Sequence, residues 1–509
     1  MDTRANLIAV PHYPSQAMLK RFVLLLALAC ASFFAGASAY GQNHPDHSPL
    51  VTGPGGQVGI YGPNGKFIGI DDDPETVLGG SFGNPFALQR QATVIERNIF
   101  SITIDANLIP GSDWNEEFLV GIPNTPIHPT PVLVAFHGYG KRPTDVLADS
   151  DLFPMGMDRG WIVVAPLGAH EYNYGIEYSQ RNVETALTVL ATMIAPNFGL
   201  TVDADRFYAV GFSMGGGAAA SFAARHCDAN GGLHFAATAI HTGPTSLSYT
   251  YETDKPPYKL QALFNSPKMF GGPPSDPLFA FDYSRCSSMD IDPADLSIDS
   301  TTEMLKNLAP TPLISHYVLG VNSAYDELNR QTAMTYVEHA NLGGTGTMWV
   351  EHGTKHKWRT LAQGPLLQIF GGLSSQAPAD AKTFSTLADR DGGWHCFEVS
   401  QAVPRVLSPF KWTKDSVSNS VMVTEVANIA ELNLPSPIGV GLDTTANLTY
   451  HFNTADSVPV KLIIGEYMVE PQTVLRGKDP GNYSFDLGTS ELILHEPASD
   501  GFVTWRITP

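Results

Sequence analysis

Seven residues, Gly211-Phe212-Ser213-Met214-Gly215-Gly216-Gly217, set a hydroxyl among glycines where the apolar run Phe207 to Val210 gives way to the alanine-rich stretch Ala218 to Arg225. A G-x-S-x-G pattern at a strand-to-helix junction predicts a tight turn that lifts the serine clear of the sheet, with glycines removing clashes where backbone passes close. A serine hydroxyl is a weak nucleophile until a base takes its proton, and the base needs a carboxylate to fix its tautomer. In the chain order serine, carboxylate, histidine, the residues that fit are Ser213, Asp326 and His356. Glu327 competes with Asp326 for the acid, and His352 competes with His356 for the base, with His241 a more distant candidate. The pair His352 and His356 is separated by Gly353 and lacks an H-E-x-x-H setting, so no metal is expected, and nothing calls for a cofactor.

Attack on a carbonyl creates an oxyanion that backbone N–H groups must meet at about 3 Å. The residue after the nucleophile, Met214, supplies one donor, and the loop His137-Gly138-Tyr139-Gly140 after an early apolar run supplies the other through Tyr139. The side chains of Tyr139 and Trp358 are expected to flank the donor and the base as aromatic, substrate-binding walls.

Elements able to hold these groups can be read from the apolar pattern. Ile99 to Ile104, Glu117 to Ile122, Pro131 to Phe136 and Trp161 to Pro166 predict strands, and the continuous apolarity of the third predicts a buried parallel one. Val183, Ala186, Leu187, Leu190 and Ile194 recur at helical spacing. Strands alternating with helices specify an α/β fold whose functional residues lie beyond the carboxyl ends of the strands. From about 245 to 308 the pattern loosens into a Pro-rich, aromatic-rich insertion, readable as a lid or substrate wall or equally as a packed excursion. A buried strand resumes at Pro312 to Leu319, Asp326 follows in a loop, and a helix is expected from Gln331 to Ala340. Beyond about Ser374, short strands separated by Pro, Asn, Asp and Gly predict an antiparallel β-sandwich.

At 509 residues the chain exceeds one ordinary core, and 43% hydrophobic with 16% charged residues suits a well-cored protein. The expected organisation is a leader over 1–39 with Met18 as an alternative start, a Gly/Pro-rich extension over 40–90, a catalytic domain over 91–373 and a β-rich domain over 374–509. The leader reading rests on Lys20-Arg21, the apolar stretch Phe22 to Phe34 and the small-residue site Ala37-Ser38-Ala39, with cleavage after Ala39. That stretch is shorter than the roughly 20 residues that span a bilayer, so export to the periplasm or the medium is expected and a membrane span is not. A net charge of −20 disfavours nucleic acid as a partner. Asp71-Asp72-Asp73 reads as a solvated loop. After cleavage Cys227, Cys286 and Cys396 remain. An exported protein favours one disulfide among three possible pairings, and a Cys227 to Cys286 bond would pin the insertion to the core.

The stretch from Val202 to Gly216 resembles the elbow region of exported α/β-hydrolase esterases of the polyhydroxybutyrate depolymerase and feruloyl esterase group, over roughly residues 95 to 370. Gly-Phe-Ser-Met-Gly-Gly-Gly with Tyr139 after Gly138 is also similar to bacterial polyester hydrolases of the cutinase type, in which those two backbone amides form the oxyanion hole. In the group, the aspartate usually stands three residues after a glycine, whereas Asp326 stands six after Gly320. The resemblance implies a doubly wound, mostly parallel sheet of the α/β-hydrolase fold and a secreted serine esterase acting on small ester molecules or on polyester or plant-polymer substrates. A prolyl-oligopeptidase-like peptidase and a binding protein on an inactive hydrolase are the competing readings.

Overall fold

The computed structural model describes residues 92–96, 98–254, 259–319, 325–353, 355–375, 383–454, 458–467, 470–498 and 501–509. The leader, the Gly/Pro-rich extension and Asp71-Asp72-Asp73 lie outside the described residues. Nine strands, β1 (Ala92–Glu96), β2 (Ile99–Ile104), β3 (Glu116–Gly121), β4 (Thr130–Phe136), β5 (Ile162–Pro166), β6 (Val202–Phe212), β7 (Ala237–His241), β8 (Leu313–Leu319) and β9 (Gly346–His352), form one sheet. Its order is β1-β2-β3-β5-β4-β6-β7-β8-β9, antiparallel from β1 through β3 to β5 and parallel from β5 to β9. Chain order reverses at β4, which lies between β5 and β6, so the loops leaving β4 and β6 diverge there and open a crevice above the carboxyl ends.

Every residue of β4 and β5 is buried, because both faces of the sheet are covered. Val132, Val134 and Phe136 enter one apolar cluster and Leu133 and Ala135 the other. Helices α1 (Pro143–Asp149), α2 (Leu152–Asp158), α3 (Glu177–Val189) and α4 (Met214–Arg225) follow in chain order. All twelve residues of α4 are buried, which its run of glycine and alanine permits by letting the sheet and neighbouring loops approach closely. The insertion folds into α5 (Leu247–Glu252), α6 (Leu260–Phe264) and α7 (Pro277–Cys286). After β8 comes α8 (Asp326–Asn341), five residues earlier than the periodicity predicts. Asp326, expected in a loop, instead opens this helix, where acidic side chains in the first turn favour the helix N-terminus.

Between Thr383 and Thr508 the chain forms a seven-stranded and a six-stranded sheet. Most pairings are antiparallel as expected, but the strands Ser420–Val426 and Leu448–Thr454 run parallel, as do Ile429–Leu434 and Val460–Ile464. Their inward residues, Trp412, Tyr450, Leu462 and Trp505 among them, belong to the same apolar cluster as Phe222 of α4 and Leu305, so the core runs on from the α/β sheet into the β-rich part. Asn307 reinforces the junction by bonding both the N–H and the C=O of Leu387, each at 2.9 Å.

The cysteine expectation is corrected. Cys227, Cys286 and Cys396 are all free and buried. Cys227 joins the large cluster under α4 while Cys286 packs in the aromatic cluster of the insertion, so the two thiols face different cores.

A closed ring of charges ties three parts of the chain together. Asp389, on the β-rich side, accepts from Arg225 at the end of α4 (2.7 Å) and from Arg285 of the insertion (2.7 Å), and both guanidiniums also reach Glu177 of α3 at 2.9 Å. Arg390 adds a contact to Asp389 at 3.1 Å. Burial raises the carboxyl of Glu177, but the charges of Arg225, Arg285 and Arg181 outweigh it and bring it to about 2. Asp389 is likewise held well below the carboxylate range by its arginines against the cost of burial. Removing one member leaves buried charge uncompensated, so Asp389→Ala should destabilise the protein by about 3 to 5 kcal/mol in urea unfolding. Because these carboxyl values are depressed, the contribution is full above the ordinary carboxyl range and fades as pH falls towards 2. An Asp389→Ala midpoint equal to that of the parent would show that the ring carries no stability.

Candidate active site

β6 delivers Phe212 to the carboxyl edge of the sheet, and Ser213 follows with φ 57° and ψ −125°, a left-handed conformation that a non-glycine residue adopts only under constraint. The constraint is visible on both sides. The Ser213 N–H donates to the His241 carbonyl at 2.9 Å, and the Ser213 carbonyl accepts from Gly216 at 2.8 Å. A methyl group on Gly211 would lie 1.8 Å from the Gly215 carbonyl oxygen, and one on Gly215 would lie 2.2 Å from that of Phe136 and 2.4 Å from that of His137. The glycines of the motif are therefore needed for the turn itself and for seating the first turn of α4 against the loop after β4.

Met214 and Tyr139 flank that contact, Met214 directly before Gly215 and Tyr139 two residues after His137. The loop 137–140 is braced from below: His137 is buried, its Nε2 lies 2.8 Å from the Leu167 carbonyl, and the Gly140 N–H donates to the Glu171 carbonyl at 2.8 Å. The half-buried Tyr139 ring packs edge-on against Tyr172 and Tyr174, with centroids at 4.9 and 6.1 Å. Tyr139 and Met214 both belong to the aromatic cluster formed with Leu247, Tyr251, Phe264, Phe270 and Tyr283. The insertion thus packs directly on the proposed oxyanion elements, and most of its rings are consumed in its own core.

His356 lies half-buried between two rings, Tyr325 at 4.1 Å and Phe212 at 4.5 Å. Phe212 precedes Ser213, so the sandwich sets the imidazole beside the elbow. Burial lowers its pKa to about 4, and neither ring nitrogen has a hydrogen-bond partner among the described residues. His352 is exposed at the end of the edge strand β9. Asp326 is exposed and directly follows Tyr325. Glu327 is engaged elsewhere, its Oε2 accepting from the Tyr249 hydroxyl at 2.5 Å and from Arg330 at 3.0 Å. Among the described residues no hydrogen bond joins Ser213, His356 and Asp326; residues 320–324, between β8 and Tyr325, lie outside them.

Trp358 is a correction. Expected as a substrate wall, it is 3% exposed and packs behind Phe212 at 5.5 Å, within the cluster beneath the sheet. The short 3-10 turn Trp358–Thr360 turns its indole inward.

His241 supports the segment after His356 from below. Fully buried, its Nε2 lies 2.9 Å from the Lys357 carbonyl and 3.1 Å from the Thr360 hydroxyl, and its Nδ1 lies 2.9 Å from Nδ1 of His316. Burial, then the neighbouring His316, holds His241 well below the usual imidazole range, and burial takes His316 to about 4. Both rings are then neutral with one proton each. A carbonyl can only accept, so His241 carries its proton on Nε2, and His316 donates from Nδ1. The pair bonds the residue next to His356 back to the centre of the sheet. The sequence offers no signal for this pairing, because His241 and His316 become neighbours only through the β7–β8 register.

Among the described residues, no cluster of three or more His, Cys, Asp or Glu is arranged to hold a metal ion, and no helix is long and apolar enough to cross a membrane.

Comparison with known proteins adds the following. No protein-family profile matches the chain. A stretch of 146 residues is 34% identical to Esterase MT1326 and to Esterase Rv1288, both of Mycobacterium tuberculosis; it covers 26% of this chain and 30% of each relative. The chain therefore matches under a third of the length of those relatives. Among solved structures, an S-formylglutathione hydrolase from Agrobacterium tumefaciens overlaps at TM-score 0.38 and 13% identity, over 55% of this chain and 98% of that one. A ferulic acid esterase overlaps at TM-score 0.35 and 16% identity, over 55% and 98%. These overlaps are too loose to carry an argument, and the fold assignment rests on the strand order described above.

His241→Phe keeps the ring volume but removes the bond to the Lys357 carbonyl, which Thr360 still meets, and leaves the buried Nδ1 of His316 without its partner, so it should lower stability by about 1 to 3 kcal/mol in urea unfolding. His352→Ala, at an exposed position, should stay within about 0.5 kcal/mol of the parent. Equal midpoints for His241→Phe and the parent would show that the loop is held by other contacts.

Proposed function

We propose that the protein is an exported serine hydrolase of carboxylic esters, with Ser213 as nucleophile, His356 as general base and Asp326 as the acid. The observation that carries this reading is the strained backbone of Ser213 at the carboxyl edge of a parallel sheet, one residue from the ring that packs on a half-buried, neutral imidazole. The identity of one stretch to two mycobacterial esterases supports the same reaction class.

In the proposed cycle, His356 takes the proton of Ser213 as the hydroxyl oxygen adds to the ester carbonyl. The carbonyl electron pair moves onto oxygen, where the amides of Tyr139 and Met214 meet the charge. Collapse expels the alcohol with the proton from His356 and leaves an acyl-serine, which water hydrolyses by the same steps. A neutral imidazole is the form that can accept the proton, and burial favours it. Engagement of Glu327 by Tyr249 and Arg330 favours Asp326 as the acid, since a carboxylate held by an arginine and a phenol is not available to a histidine. The aromatic cluster beside Tyr139 and Met214 suits short or aromatic acyl groups, including the ester units of a polyester or plant polymer.

Ser213→Ala and His356→Ala should each lower turnover of p-nitrophenyl acetate by several orders of magnitude, because members of one proton-transfer unit fail together. Asp326→Asn should harm far more than Glu327→Gln; the reverse ranking moves the acid to Glu327. Rates on p-nitrophenyl acetate or butyrate should exceed those on peptide p-nitroanilides by at least about a hundredfold, or about 2.7 kcal/mol in transition-state binding. Comparable rates on an anilide would replace the esterase reading with a peptidase one.

A further inference from the structure

Glu116, the first residue of β3, is fully buried, and among the described residues no cation pairs with it. Its Oε1 accepts from the backbone N–H groups of Leu167 at 2.9 Å and Gly168 at 3.0 Å, and its Oε2 from that of Ala169 at 2.9 Å. Gly168 and Ala169 are both left-handed, with φ 64° and 72°, and this turns three successive amides to one side. Such a concave run of amides is an anion-binding nest. Here the anion is a side chain of the same protein, and the strained Ala169 backbone is held by the bond it makes.

The loop so fixed is the one on which the 137–140 loop rests. Leu167 offers its carbonyl to His137, Asn173 bonds the carbonyls of Leu167 and His170 at 2.8 and 3.0 Å, and Glu171 offers its carbonyl to Gly140. Tyr172 and Tyr174 carry the Tyr139 ring. The hydrogen bonds from His137 and Gly140 and the two ring contacts of Tyr139 therefore all end on residues 167 to 174, whose first three amides end on one carboxylate. We infer that Glu116 is a positioning residue for the oxyanion hole, setting the Tyr139 amide through the 167–174 loop without touching substrate. The inference rests on the esterase reading proposed above. Burial pushes the Glu116 carboxyl up to about 7 while the amide donors pull it down, so the assays belong at pH 8, where it is ionised.

The test is Glu116→Gln, which preserves shape but turns an NH₂ group towards amide donors. In the full chain, kcat and KM for p-nitrophenyl acetate are measured together with Ki for an alkyl trifluoromethyl ketone, which adds to Ser213 and places an oxyanion in the hole. Expected is a fall in kcat of about 10- to 100-fold with Ki rising in step and KM little changed, the pattern of an interaction realised only in the transition state. Glu116→Asp keeps the charge but withdraws it by one methylene, and should fall between parent and Glu116→Gln; it carries the same readouts if Glu116→Gln does not accumulate folded. Parent-like kcat and Ki, with only the melting temperature lowered, would overturn the inference and make Glu116 a fold support alone. A parent enzyme that neither hydrolyses esters nor takes a fluorophosphonate on Ser213 would instead overturn the esterase reading itself, and the two failures are distinguishable because the second appears before any substitution is made.

Discussion

The turn at Ser213 is the constraint on which the rest of this architecture depends. A left-handed serine is held only if the backbone before it and the helix after it are pressed together, and the close approach of Gly211 to the Gly215 carbonyl is that pressure. The helix that follows is then committed to a path across the sheet with every residue buried. Such a helix must be made of small residues near the turn, and it must find partners for whatever is polar at its far end. Arg225 is that residue, and the ring formed with Glu177, Arg285 and Asp389 is how its charge is met.

That ring makes the β-rich part a continuation of the α/β core and not an appendage. Asp389 comes from one, Arg225 from the other and Arg285 from the insertion that covers the crevice. The insertion packs against Tyr139 and Met214 with its aromatic side. Its position is therefore coupled, through one buried carboxylate, to the strands that follow the nine-stranded sheet. A buried ion cluster of this kind adds little net stability relative to an apolar packing, but its members cannot be separated cheaply, which favours a single arrangement of the three parts.

Buried histidines serve as struts on both flanks of the crevice. His137 links the 137–140 loop to the loop after β5, and His241 with His316 links the segment after His356 to the middle of the sheet. Burial keeps the His241–His316 pair neutral, so each ring has one donor and one acceptor, and each can join two groups that backbone alone would leave unpaired. His356 differs in that, among the described residues, it has ring contacts but no hydrogen-bond partner on either nitrogen. That makes it the histidine of this group with both nitrogens uncommitted to the fold.

What the sequence by itself determined is local in origin. The elbow, the apolar strands around it and the alanine-rich helix are each written in contiguous residues, because glycine spacing and apolar periodicity act over a few positions. Ser213 with Met214 and Tyr139 could be named for the same reason. What only the tertiary structure decided is what depends on strands meeting across the sheet: Trp358 facing inward instead of lining the site, His241 hydrogen-bonded to His316, Glu327 taken up by Tyr249 and Arg330, and three thiols buried and free. Glu116 is the extreme case. A lone carboxylate at the start of a strand has no pattern to mark it, and its role exists only because the β3–β5 pairing brings it beneath three amides some fifty residues further along the chain.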